Sequence, residues 1–152
     1  MFEKILEQIK KYDTITIFGH MNPDGDCYGA QIGLRDSLRL SFPEKTINAV
    51  GSGCPAFFSK LGQMDRVDDD TISKSLAILL DGNDLSRMED QRIRKALAWI
   101  KIDHHVDSGT FTEGEFVVRT EANSTCELIA DFICEADLKI NGNVADALFL
   151  GI

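Results

Sequence analysis

Three short stretches carry residue types able to bind a divalent metal ion. The first runs Gly19-His20-Met21-Asn22-Pro23-Asp24-Gly25-Asp26, the second is Asp81 closing an apolar run, and the third is Asp103-His104-His105. All three histidines of the chain fall within them. Pro23 fixes φ and Gly25 admits backbone shapes that other residues avoid, so Asp24 and Asp26 can be splayed from one tight loop. Carboxylates held so close repel unless a cation compensates. Taken singly, each stretch has an ordinary reading. Asn-Pro-Asp-Gly is a common surface turn, Asp81 suits a helix N-cap, Asp103 suits a turn, and His104 and His105 suit polar residues leaving a strand.

The elements that must position these residues alternate. Phe2, Ile5, Leu6 and Ile9 repeat at helical spacing, and Thr14 to Phe18 is a β-branched, apolar strand that delivers the first stretch. Ile32, Leu34, Leu38 and Leu40 predict a helix beginning just after Asp26 and ending before Pro43. Thr46 to Val50 reads as a second strand. Leu76 to Leu80 is an uninterrupted apolar run, as expected of a strand covered on both faces, and ends in Asp81. A charged helical stretch is expected from Arg87 to Ala96, then a fourth strand from Ala98 to Ile102 that delivers Asp103, and a last one at Phe116 to Val118. Met64 to Asp70 reads as a polar, acidic loop. Ser124 and Glu127 are spaced as a capping box before a helix whose buried face is Leu128, Ile129, Phe132 and Ile133. Alternation of this kind predicts an α/β fold, a mostly parallel sheet with helices on both faces. The carboxyl ends of strands one, three and four then open onto one edge, where ligand sites of such sheets lie. His20, Asp24, Asp26, Asp81, Asp103, His104 and His105 can therefore converge, and together they favour a metal site.

A rival site follows the second strand. Gly51, Gly53 and Ala56 can be laid on the G-x-G-x-x-G/A dinucleotide fingerprint, in which backbone N–H groups meet a pyrophosphate. It follows the wrong strand, and Pro55 removes a donor near the phosphate position. A turn with proline opening a helix around Phe57, Phe58 and Leu61 is the expected structure.

Length and composition set the outer limits. A chain of 152 residues with 43% hydrophobic content suffices for one domain with a real core. No apolar run approaches the roughly 20 residues that span a bilayer, the N-terminus lacks a signal-peptide core, and no membrane association is expected. Cys27, Cys54, Cys126 and Cys134 form no C-x-x-C pair, and free thiols fit a reducing, cytoplasmic setting. A formal net charge of −9 disfavours binding of long nucleic acid by this domain alone. Any phosphate substrate would need cations to mediate.

The three stretches in this order resemble the N-terminal domain of the DHH-family phosphoesterases, a family that includes RecJ-type exonucleases, family II inorganic pyrophosphatases and cyclic dinucleotide phosphodiesterases. His20-x-Asn22-Pro23-Asp24-Gly25-Asp26, Asp81 before Leu85-Ser86-Arg87, Ile102-Asp103-His104-His105 and Ser124-Thr125-Cys126-Glu127 resemble its NrnA-like branch of oligoribonucleases and 3′-phosphoadenosine 5′-phosphate phosphatases. The resemblance implies two Mn²⁺ ions per complete site, with His20 and Asp24 on one, Asp26 and His104 on the other, and Asp81 bridging. It also implies that Asp103 orients the histidines and that His105 approaches the substrate phosphate. A carboxylate and imidazole set suits manganese and leaves Mg²⁺, Fe²⁺ and Zn²⁺ open. The implied chemistry is two-metal hydrolysis, in which the cations ready a water for in-line attack and neutralise charge on the phosphoryl oxygens. Arg87 is a candidate phosphate contact by its bidentate geometry and equally reads as an exposed helix arginine. Ser124 or Thr125 could touch substrate, while capping remains the simpler account.

Two departures from the family matter. Cys27 and Ala30 stand where a small residue and often a serine follow the first motif, and Cys27 is a type that binds metal or is oxidised. The helix expected from Asn143 to Ile152 carries Val144, Ala147, Leu148 and Leu150 straight into the terminus, an apolar end that hints at a homodimer. The chain reads as an incomplete N-terminal domain over residues 1–152. In relatives a further acidic motif and a substrate-binding C-terminal domain follow, so little activity is expected of this fragment. The expected function is hydrolysis of short oligonucleotides or phosphorylated nucleotides by the longer protein. Inorganic pyrophosphatase and cyclic dinucleotide phosphodiesterase are alternatives within the family, and a non-catalytic nucleotide- or phosphate-binding α/β module, perched on Gly51 to Ala56, is the alternative outside it.

Overall fold

The computed structural model describes residues 1–52, 58, 60–106 and 109–152. The helix opening expected around Phe57 and the Gly53 to Ala56 part of the fingerprint therefore lie outside the described residues.

Helix α1 (Glu3–Lys11) leads into β1 (Thr14–Phe18), α2 (Gly25–Ser41) and β2 (Thr46–Val50). After a long connection come a one-turn helix α3 (Asp69–Ser73) and β3 (Leu76–Leu80). Two 3₁₀ segments, Leu85–Arg87 and Gln91–Lys95, precede β4 (Ala98–Asp103), and β5 (Glu115–Val118), α4 (Thr125–Glu135) and α5 (Gly142–Gly151) complete the order. Among the described residues the sheet has five strands in the order β2-β1-β3-β4-β5, every neighbouring pair parallel. The order reverses between β1 and β3, which makes the crevice at their carboxyl ends the switch point where ligands bind in such folds.

Alternation along each strand sorts the core into two halves. Ile15, Ile17, Ile78, Ile100 and Ile102 face the four longer helices, through Ile5, Ile9, Leu34, Leu38, Ile129, Phe132, Val144 and Leu148. Phe18, Ala77 and Leu79 face the opposite side, covered by Ile72, Leu85, Met88, Ile93 and Phe111. All five residues of β3 are buried, as an apolar run in a central parallel strand requires.

Between Arg87 and Ala96 the expected helix is replaced by the two 3₁₀ segments. The cause is a competing backbone ladder. The Met21 N–H donates to the Arg87 carbonyl at 2.9 Å, and the Glu89 N–H donates to the Gly19 carbonyl at 3.1 Å. Met88 is thereby held extended against the turn after β1, opposite His20. The polar loop expected up to Asp70 gives way one residue after Asp68, whose side chain accepts the Thr71 N–H and caps α3. Ser124 caps α4 by accepting the Glu127 N–H, but Glu127 turns its own carboxylate to the N–H of Asn123, so only half of the expected box forms.

Helix α2 meets α5 across Gly25, Gly29 and Gly33, one face at i, i+4, i+8. A Cβ on Gly29 would lie 2.3 Å from the Ala147 carbonyl oxygen, so the two backbones touch where no side chain fits. Among the described residues no helix is long and apolar enough to cross a membrane.

The seam can be tested directly. Gly29→Ala should lower unfolding stability by about 1–3 kcal/mol through overpacking, less any gain in helix propensity. Gly142→Ala, where an added Cβ meets nothing within 4 Å, should cost nothing in the same urea titration.

Candidate metal centre

The turn after β1 places the first group of side chains. Asn22 sits at φ 53°, and Asp24 caps α2 by accepting the Cys27 N–H at 3.0 Å. Capping leaves the Asp24 side chain 68% exposed at the rim, its Oδ1 3.9 Å from His20 Nε2. His20 Nδ1 lies 2.9 Å from the Met21 carbonyl, a contact that calls for Nδ1–H and turns Nε2 inward, 3.3 Å from Asp81 Oδ2.

Asp81 is the centre of the arrangement. It leaves β3 at φ 55°, a left-handed conformation that turns its carboxylate across the strand ends, and its side chain is only 2% exposed. Its Oδ1 accepts the Thr125 hydroxyl at 3.0 Å and lies 3.6 Å from both His104 Nε2 and His105 Nδ1. His104 also stands 3.5 Å from Asp26 Oδ2, while its Nδ1 looks toward the Ala122 carbonyl at 3.4 Å. Asp103, fully buried, accepts both the N–H and the Nδ1–H of His105 on Oδ1, at 3.1 and 2.8 Å. Each of the three imidazoles thus has Nδ1 beside an oxygen acceptor, which leaves Nε2 as the available lone pair.

Asp26 is held from the far end of the chain. The N–H groups of Thr125 and Cys126, the first two residues of α4, donate to its two carboxylate oxygens at 2.8 and 2.7 Å. A carboxylate at a helix N-terminus is favoured by the unpaired amides and the helix dipole. Gly151 of α5 closes this corner, since a Cβ there would fall 2.7 Å from the Asp26 Cα.

Electrostatics follow from the crowding. The hydrogen bond to Asp81, with help from the Cys27 thiol, holds His20 protonated up to about 11. Burial works to raise Asp81, yet His20, Thr125 and His105 together draw it below the usual carboxylate range. Burial, joined by the charge of Asp81, pushes Asp26 upward against the two α4 amides. Such a set, two mutually repelling carboxylates among imidazoles, is what a divalent cation relieves.

Among the described residues, two groups of three ligand atoms lie within 4.8 Å of one another: His20, Cys27 and Asp81, and then Asp81, His104 and His105. Beside them a cavity of about 110 Å³ is lined by His20, Asp24, Asp81, Gly82, Asn83, Arg87 and His105. At about 30 Å³ per water, that is room for an ion with a few waters or for a phosphoryl group. His20, Asp24, Asp26, Asp81, Asp103, His104 and His105 therefore meet at one edge of the sheet. Asp24 stands at the rim, and Arg87, pinned by the ladder to residues 19–21, is an exposed wall of the cavity. Sequence reasoning missed the α4 amides on Asp26 and the hydroxyl of Thr125 on Asp81. Their only linear signal is the Ser124 helix start, which says nothing of what it points at.

A parallel α/β sheet with a mixed carboxylate and imidazole cluster at its switch point makes a candidate metal-binding site. The DHH family, N-terminal domain, matches residues 14–152, and the chain belongs to that family. It is 40% identical over 151 residues to the probable bifunctional oligoribonuclease and PAP phosphatase NrnA of Streptococcus mutans, covering 99% of this chain and 48% of that protein. It is 36% identical over 156 residues to the bifunctional oligoribonuclease and PAP phosphatase NrnA of Bacillus subtilis, covering 100% of this chain and 49% of the relative. An exopolyphosphatase-related protein from Bacteroides fragilis superposes with a TM-score of 0.81 at 26% identity, covering 99% of this chain and 48% of the other. Exonuclease RecJ bound to manganese shares the fold, with a TM-score of 0.54 at 14% identity over 95% of this chain and 39% of that one. The chain thus spans about half the length of the curated relatives it matches.

The raised His20 carries a pH signature. Without metal, its proton contributes stability that is fully present below about 6.5 and lost as pH rises through about 11. An ion held by Nε2 displaces that proton. Titrating Mn²⁺ into the chelator-stripped chain near pH 7, in two buffers of different ionisation enthalpy, should show about one proton released per ion at this position, and affinity rising about tenfold per pH unit. His20→Gln should abolish that release.

Proposed function

We propose that this chain is the metal-binding half of an enzyme that hydrolyses phosphodiester or phosphomonoester bonds of short nucleotide substrates, nanoRNA fragments and 3′-phosphoadenosine 5′-phosphate among them. The observation that carries the reading is the convergence on Asp81 of all three histidines, each with Nδ1 beside an oxygen and within 3.6 Å of the buried carboxylate. The names of the similar NrnA proteins from Streptococcus mutans and Bacillus subtilis point to the same substrates.

In this reading His20, Asp24, Asp26, Asp81 and His104 would hold the manganese ions. The ions supply Lewis acidity, lowering the pKa of a water and neutralising charge on phosphorus-bound oxygens. The chain's own groups do the rest. Arg87 presents a fork of donors to the phosphoryl oxygens from the cavity wall. His105, its Nδ1 fixed on Asp103, turns Nε2 to the substrate phosphate. Thr125 and the α4 amides keep Asp81 and Asp26 in place. The grip on the nucleoside part is assigned to the portion of the longer relatives that lies outside this chain.

The test uses the longer parent protein with a short oligoribonucleotide and with 3′-phosphoadenosine 5′-phosphate. Hydrolysis should require Mn²⁺, stop on chelation, and fall on the order of a thousandfold or more in kcat/KM with Asp81→Ala. Turnover unchanged by that substitution would sink the proposal.

A further inference from the structure

The candidate ligand atoms on the His20 side include a thiol. Cys27 Sγ, with His20 and Asp81, makes a triad within 4.8 Å, while the Asp24 carboxylate, one oxygen of which accepts the Cys27 N–H, stands at the rim. The thiol is fully buried on the first turn of α2, yet it is aimed. Gln31 Nε2 donates to the carbonyls of Ile17 and Val50, which fixes its Oε1 toward Cys27 Sγ at 3.8 Å. The S–H group donates to Gln31, and the sulfur lies within 4.8 Å of the His20 and Asp81 ligand atoms. Gly19 makes the room, because a Cβ there would lie 2.5 Å from the sulfur and 2.6 Å from Gln31 Oε1.

We propose that Cys27 is a further ligand of the ion held at His20 and Asp81, giving that position an N, O and S donor set that binds zinc-like ions more tightly than its nitrogen and oxygen donors alone would. The inference rests on the strand-end cluster being a metal centre. Spacing supports it. Zinc binds sulfur at about 2.3 Å and nitrogen or oxygen at about 2.0–2.2 Å, which places tetrahedral donors roughly 3.4–3.6 Å apart. His20 Nε2 and Asp81 Oδ2 are already 3.3 Å apart. On binding, the S–H bond breaks, its electron pair forms the sulfur to metal bond, and the proton leaves to the buffer. Hard ions gain little from such a donor, while thiolate favours zinc and cobalt. The two halves of the centre then differ in kind: sulfur-bearing at His20, and oxygen and nitrogen only at Asp26 and His104.

Cobalt(II) titrated into the chelator-stripped chain is the probe. The expected result is a near-ultraviolet thiolate-to-cobalt charge-transfer absorption, lost in Cys27→Ser and retained in Cys126→Ser. Zn²⁺ affinity in Cys27→Ser should fall at least about tenfold, and Mn²⁺ affinity should change less than about threefold. Co²⁺ bound by calorimetry without that absorption in the unaltered chain, or absorption that survives in Cys27→Ser, would overturn the role of Cys27 and leave the metal centre standing. Absence of binding of Co²⁺, Zn²⁺ and Mn²⁺ alike, in a chain folded by circular dichroism, would overturn both.

Discussion

A carboxylate buried at the place where strand order reverses is the constraint that the rest of this structure serves. Removing the charge of Asp81 from water costs several kcal/mol before any partner is counted. The cost is offset by a hydroxyl from α4, imidazoles from the ends of β1 and β4, and a left-handed backbone that puts the oxygens within their reach. These partners come from three separate elements. The sheet order, the helix that follows β1 and the return of α4 to the strand ends are therefore all conditions for keeping one aspartate ionised in the interior.

The same logic explains the rim. His20 and Arg87 sit about seventy residues apart in sequence, yet they share a cavity because the backbone of residues 19–21 pairs with that of 87–89. That pairing removes the helix which the charged pattern from Arg87 onward would otherwise favour. Local propensity loses here to hydrogen bonds that only the tertiary fold can offer.

Much of this was legible from residue types alone. The five strands, the helix after Asp26 and the shared edge follow from period-two and period-3.6 patterns and from the handedness of crossovers, so the convergence of Asp81, Asp103 and the histidines could be argued before any coordinates. What patterning does not carry is direction. It placed Asp24 and Asp26 in one loop without telling which would cap α2 and which would be seized by α4. It set Glu127 in a capping box without registering that Asn123 would take its carboxylate. Cys27 reads in sequence as a small substitution beside a ligand. Only the orientation of Gln31, fixed by carbonyls of two strands, gives the sulfur a side.

The glycine seam between α2 and α5 bears on the chemistry as well as on packing. Gly151 fits between the Cys126 sulfur and the backbone of Asp26 because it has no side chain. A slip of α5 by one residue, about 1.5 Å along its axis with a third of a turn, would bring a neighbouring side chain round to that corner and press it on the Asp26 backbone. The aspartate at the metal edge thus acts as a gauge for helix register: only the alignment that seats Gly151 beside it leaves the carboxylate where the two α4 amides can reach.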